Sequence, residues 1–189
     1  MSLQSSVRQV AWHPALRLEA LRPKCLHETG RILQQHAASL ECMAVLIVLL
    51  VAWLIFRGVG ALGVAAFATW QDTACYALAT MFVFTAIAHF NRMKYDLARM
   101  IPPFFPQPLR IVYITGVLEL LGAAGLLLPR FRPLAGVCLI ALLIGMFVAN
   151  VHAAQKGITL RGKPPTPLWL RTPLQVLFIA LLWWSTRRP

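Results

Sequence analysis

The amino-acid sequence predicts an all-α polytopic membrane protein: an antiparallel four-helix transmembrane bundle with one extra transmembrane helix on its N-terminal side. Three observations lead there. Of 189 residues, 59% are hydrophobic and only 13% are charged, against roughly half and a quarter in a soluble domain. The apolar residues are gathered into runs close to the ~20 residues that cross about 30 Å of hydrocarbon. These runs are longer than the strands of a membrane barrel and do not alternate apolar with polar. The composition excludes a cytosolic enzyme and the disordered, collagenous and disulfide-scaffold classes.

Residues 1–40 have a different composition, with five basic and two acidic residues, three histidines (His13, His27 and His36) and no long apolar run. They lack the charged start, short apolar core and small-residue cleavage site of a signal peptide and are expected to form a flexible basic segment. Residues 41–73 hold the first span, which starts near Met43 and ends at Arg57, followed by a small apolar connector to Trp70. The second span is expected from about Ala74 to Phe90, the third from Ile111 to Leu128, the fourth from Leu134 to His152 and the fifth from Leu168 to Trp184. Together they form a unit over 74–185, with a short tail at 186–189. Short connections make these four helices antiparallel neighbours. In the longest connection, Met93, Leu97, Met100 and Ile101 recur at helical spacing beside Arg92, Lys94 and Arg99, which suits a short helix on the headgroups. The prolines between Pro102 and Pro108 then end it.

The net charge of +12 is a question of placement. Basic residues punctuate the apolar runs instead of forming a stripe, and no nucleic-acid module motif is present, so nucleic acid is not an expected partner. With the N-terminus inside, thirteen basic residues face the cytoplasm and five (Arg57, Arg130, Arg132, Arg187 and Arg188) face outward. This bias puts the N-terminus in the cytoplasm and the C-terminus outside a cell membrane. If the first span does not cross, only the N-terminus changes side.

The four cysteines (Cys25, Cys42, Cys75 and Cys138) form no C-x-x-C pair and read as structural. No histidines have metal-ligand spacing, so no metal is expected. Gly157 to Lys163 matches the start of a phosphate-binding loop, but Pro164 stands where the Ser or Thr is required, leaving a basic loop. Cys138, Ala141, Gly145 and Ala149 on the fourth span, and Gly116, Gly122, Ala123 and Gly125 on the third, read as positions of close helix packing.

The informative residues are polar ones within apolar helices. Glu119 sits deep in the third span, where a carboxylate costs several kcal/mol unless it is protonated, solvated or paired. His89 ends the second span, Asn150 and His152 end the fourth, and Arg171 and Gln175 lie one turn apart in the fifth. These six residues are expected to form one intramembrane polar cluster, with Arg171 or Gln175 as the first partner of Glu119 and His89 next.

Several segments carry a family likeness: His89-Phe90, Met100-Ile101-Pro102-Pro103, Val112 through Glu119, Gly125 through Pro129, Ala149-Asn150-Val151-His152, and Arg171 through Gln175. In their order and spacing, over residues 74–185, they resemble the DoxX family of integral membrane proteins. The resemblance implies a four-helix membrane unit. DoxX-like proteins are named for a subunit associated with a quinol oxidase, and relatives are linked to membrane redox complexes. It supplies no catalytic residue, although His89, Glu119, Asn150, Arg171 and Gln175 match recurrent polar positions. The expected role is therefore an accessory or small-molecule-handling subunit of a quinone- or thiol-linked redox system. Its expected partners are the lipid bilayer and a soluble oxidoreductase or quinone. No haem, flavin or nucleotide motif is visible, and no cofactor is expected. A membrane-embedded enzyme on a lipid-soluble substrate, or a proton or solute conductor using Glu119, are the alternatives, and whether the chain is an enzyme is left open.

Deleting residues 1–35 should leave membrane insertion and folding of the helices nearly unchanged, because that segment has no apolar face able to dock. Carbonate-resistant membrane retention and detergent melting of the truncated chain measure this; loss of the inserted protein at equal expression would make the segment structural.

Overall fold

The computed structural model describes residues 43–160, 162 and 166–187. Residues 1–42, with the basic N-terminal segment expected over 1–40, part of the loop holding the phosphate-loop look-alike (161 and 163–165) and the last two residues lie outside this range. Among the described residues the chain is all-helical, and five helices are long and apolar enough to cross a membrane: α1 (Met43–Ala61), α2 (Trp70–Phe90), α4 (Pro108–Leu127), α5 (Arg132–Lys156) and α6 (Leu168–Thr186). The short helix α3 (Lys94–Met100) joins α2 to α4. It occupies the stretch expected to lie on the headgroups. The chain is thus a multi-pass helical membrane protein.

Helices α2, α4, α5 and α6 pack in a ring, each touching two others, and the α2–α4 contact is the most extensive. Helix α2 is the most enclosed, with 56% of its apolar window buried against 11% for α1 and for α6. Its inward chains Leu78, Met81 and Phe82 meet Leu126 of α4, Leu139 of α5 and Leu182 of α6 in one core. One end of the ring carries α3 (the α3 end), and the other carries the α4–α5 turn (the far end).

Helix α4 starts three residues before the expected Ile111 and α5 runs four residues past His152 to Lys156; the boundaries of α1 and α2 differ for local reasons. Helix α2 starts at Trp70, four residues before the apolar run, because Thr69 caps it: its side chain accepts a hydrogen bond from the Asp72 backbone N–H at 3.0 Å. Helix α1 continues past Arg57 to Ala61. Arg57 is not the end of the span; its guanidinium stacks over Trp70 at 4.4 Å and donates to the Ala68 carbonyl at 3.3 Å. A single 3₁₀ turn, Ala65–Phe67, completes the connector. Phe56 and Phe67 then stack at 5.0 Å beside Tyr76, which ties α1 to α2. At the other extremity of α5, Gly157 takes a left-handed conformation (φ 63°) and ends the helix.

The small residues of α4 do serve packing. A Cβ on Gly116 would come within 2.5 Å of the His89 Cβ, and one on Gly125 within 2.7 Å of the Ala135 Cβ. The corresponding stripe on α5 does not: Cys138, Ala141 and Gly145 are exposed, and a Cβ on Gly145 meets nothing within 4 Å.

Arg132, which the charge count leaves in an outer loop, is buried at the start of α5. Its Nε donates to the Leu126 carbonyl at 2.9 Å, and its Nη1 pairs with Asp72 Oδ1 of α2. This clamp fixes the far end of α2 to the α4–α5 turn. Asp72→Ala should destabilise the protein by roughly 2 kcal/mol, below the 3–5 kcal/mol of a fully enclosed pair because the Asp72 side chain is 28% exposed. The double variant Asp72→Ala/Arg132→Met should be the more stable of the two, since it leaves no charge uncompensated. Thermal unfolding in detergent compares them, and a double variant weaker than the single would remove the clamp from the account.

Candidate intramembrane polar site

Glu119 is 2% exposed, on the face of α4 turned to α2. Thr85 Oγ1 lies 3.2 Å from its Oε2, and His89 Nε2 lies 3.8 Å from the same oxygen, at ion-pair but not hydrogen-bond distance. Glu119 is thus paired within the protein, but by α2 and not by α6. The approach is possible because Gly116, one turn before Glu119, has no side chain where His89 crosses.

The other edge of the His89 ring is fixed. Its Nδ1 is 2.8 Å from the Val112 carbonyl, which can only accept, so Nδ1 carries a hydrogen. Thr115 Oγ1 lies 3.1 Å from the same nitrogen, and its own hydroxyl donates back to the carbonyls of Ile111 and Val112. Nε2 is therefore the atom left facing Glu119. The two atoms face each other across 3.8 Å, close enough to interact electrostatically in a low-dielectric interior but without a direct hydrogen bond.

The six residues do not form one cluster. Arg171 turns away from Glu119 and donates from Nη1 to Asn150 Oδ1 at 2.6 Å, with Thr166 Oγ1 3.5 Å from Nη2. Gln175 donates to the Leu143 carbonyl at 2.9 Å. His152 Nδ1 is 2.9 Å from the Met100 carbonyl and fastens α5 to α3. The polar groups of the α3 end thus satisfy one another in separate helix pairs: α2 with α4, α5 with α6, and α3 with α5.

Two participants escape a reading of charged and histidine residues alone, Thr85 and Thr115. Their signal is spacing. Thr85 lies one turn before His89, and Thr115 one turn before Glu119, so each helix presents a threonine and an ionisable group on the same face.

Between α2 and α4 on one side and α5 on the other, beside α3, is a cavity of about 470 Å³. His89, Val112 and Thr115 border it on one side, and Ala141, Gly145, Met146 and Asn150 of α5 on the other. Leu97, Met100, Ile101 and Phe105, from α3 and the segment after it, close the α3 end. Its volume is within the range of small-molecule sites, and so is its character of apolar walls with a few convergent polar groups. Among the described residues no group of three or more metal-ligating side chains occurs.

Fold and site together define a multi-pass helical membrane protein with a buried polar pair beside a small-molecule-sized cavity. The chain belongs to the family described as Domain of unknown function (DUF8561), matched over residues 78–186. The match runs from within α2 to the end of α6, leaving α1 outside. No curated protein and no solved structure is similar to the chain.

Glu119→Leu should lower the melting temperature more than Glu119→Gln. Leucine leaves Nε2 of His89 opposite hydrocarbon, whereas the amide keeps a hydrogen-bonding group there without the charge. The difference should be on the order of 1–2 kcal/mol, read by unfolding in one detergent. Equal losses from the two substitutions would mean that Glu119 acts only by filling space.

Proposed function

We propose that this chain is a DoxX-like integral membrane protein that handles a small molecule as an accessory subunit of a membrane redox system, quinone- or thiol-linked. It lies in the cell membrane with the N-terminus in the cytoplasm and the C-terminus outside. The cavity of about 470 Å³ between α4, α5 and α3 carries this reading. It has the size and lining of a small-molecule site, and it is bordered by His89 and Asn150, two of the five polar positions that match the family's recurrent ones. The thirteen-to-five distribution of basic residues supports the orientation, which places the cavity in the cytoplasmic half of the membrane. An electron carrier bound by the chain itself has no support from its motifs, so the redox chemistry belongs to a partner, a soluble oxidoreductase or a quinone.

The His89–Glu119 pair favours a second reading, a proton conductor or an enzyme using Glu119 as acid or base. Conduction needs polar groups continuing beyond Glu119 toward the far end. The buried residues next beyond Glu119, Phe82, Ala123 and Leu126, are apolar and separate it from the buried polar residues Thr73, Arg132, Ser185 and Thr186 of the far end, a break that supports the subunit reading over a conductor.

Extraction in a gentle detergent, with identification of co-purifying proteins and of extracted quinone and lipid, tests the subunit role. The expected outcome is a redox protein or quinone retained in stoichiometric amount; activity of the isolated chain on a lipid-soluble substrate would favour the enzyme, and pH-driven flux in liposomes the conductor. Topology is tested with single cysteines at Lys163 and Arg187. Only the latter should react with an impermeant maleimide added to intact cells, and outside labelling at Lys163 would invert the orientation.

A further inference from the structure

Asn150 links the cavity to the Arg171 contact. The guanidinium of Arg171 can only donate, so the Asn150 atom 2.6 Å from Nη1 is the amide oxygen. This fixes the amide orientation and turns Nδ2 the other way. The Nδ2 hydrogens have no acceptor among the described residues, and no buried side-chain nitrogen or oxygen is left unsatisfied, so Nδ2 is open to the space that Asn150 borders. Arg171, pulling on the oxygen, strengthens the amide as a donor. The other polar groups of the wall are occupied: His89 Nδ1 by Val112 and Thr115, and the Thr115 hydroxyl hydrogen by backbone carbonyls. None of the bordering residues is a lysine or arginine.

Access is lateral. Ala141, Gly145 and Val148 border the cavity and are exposed. They lie within the apolar length of α5, a helix able to span the membrane, so the mouth faces hydrocarbon. Two methionines, Met100 and Met146, give the wall adaptable chains.

We propose that this cavity binds an uncharged, membrane-dissolved small molecule through a carbonyl-type acceptor oxygen held by the Asn150 amide. The molecule enters between α4 and α5 past Gly145. An anionic head would find no cation on the wall, and a purely apolar molecule would leave the Asn150 donors unmet, at the cost of an unmade hydrogen bond. The inference rests on the small-molecule-handling part of the proposed function and is independent of any partner.

The test uses the full chain in nanodiscs of phosphatidylcholine, irradiated with a benzophenone probe whose triplet ketone abstracts hydrogen readily from methionine. Peptides carrying Met100 and Met146 should be labelled. Excess fluorenone should suppress that labelling at least about fivefold more effectively than fluorene, its carbonyl-free counterpart, the scale of one shielded hydrogen bond. Asn150→Asp keeps an acceptor for Arg171 but removes the amide donors, and should abolish the preference for fluorenone while leaving the melting temperature within a few degrees. Gly145→Trp should remove the labelling. Its Cβ has open space, and Gly145→Leu serves if the larger side chain lowers stability. Equal competition by fluorene and fluorenone in the wild-type chain, a preference surviving Asn150→Asp, or labelling undiminished in folded Gly145 variants would each overturn the proposal. A fluorenone preference in a chain that retains no redox partner would leave this site standing and remove only the subunit role.

Discussion

A carboxyl group in the middle of an apolar membrane helix has to be met from inside the protein, and here Glu119 is met by α2. Much of the arrangement follows from that requirement. Thr85 and His89 must lie against α4, so the two backbones approach closely, and Gly116 provides the gap. His89 cannot drift once its Nδ1 is held by the Val112 carbonyl. A histidine tethered on one edge and facing a carboxyl on the other is a rigid coupling between two helices. That suits α2 and α4, which make the most extensive contact in the ring.

Helix α2 is held at both extremities by ionisable pairs of different kinds. At the far end the contact is a guanidinium and a carboxylate, Arg132 with Asp72, partly open to the surface. At the α3 end it is an imidazole and a carboxyl, enclosed, with Nε2 and Oε2 3.8 Å apart. Helices α5 and α6 are joined separately, through Arg171 with Asn150 and Gln175 with the Leu143 carbonyl. None of these contacts crosses from α4 to α5 at the α3 end, and the space between those two helices beside α3 is left unfilled. The cavity is the consequence, and exposed Gly145 leaves it open toward the lipid.

The existence and order of the spans were legible because hydrocarbon thickness fixes the length of an apolar run. Their ends were less so: Thr69 begins α2 within a polar stretch, and Arg57 lies inside α1 because Trp70 and the Ala68 carbonyl receive its charge. Glu119 was recognisable as costly, but its partner depended on the rotation of each helix about its axis, which a nearly uniform apolar pattern does not reveal. Arg171 was the strongest opposite charge and was nonetheless committed to Asn150. The threonine one turn before each ionisable group was a readable sign of the true pairing. The small residues of α5 carried no distinguishing mark, since a glycine that admits a neighbouring helix and one that borders a void look alike in sequence.

The central claim is that Glu119 and His89 act as one unit joining α2 to α4. A double-mutant cycle on unfolding in a single detergent, with Glu119→Leu, His89→Leu and both together, measures it most directly. The account predicts that the double variant loses less than the sum of the two single losses, by about 1 kcal/mol or more. Losses that add to within about 0.3 kcal/mol would contradict it, because additive losses mean that the two residues stabilise the bundle independently.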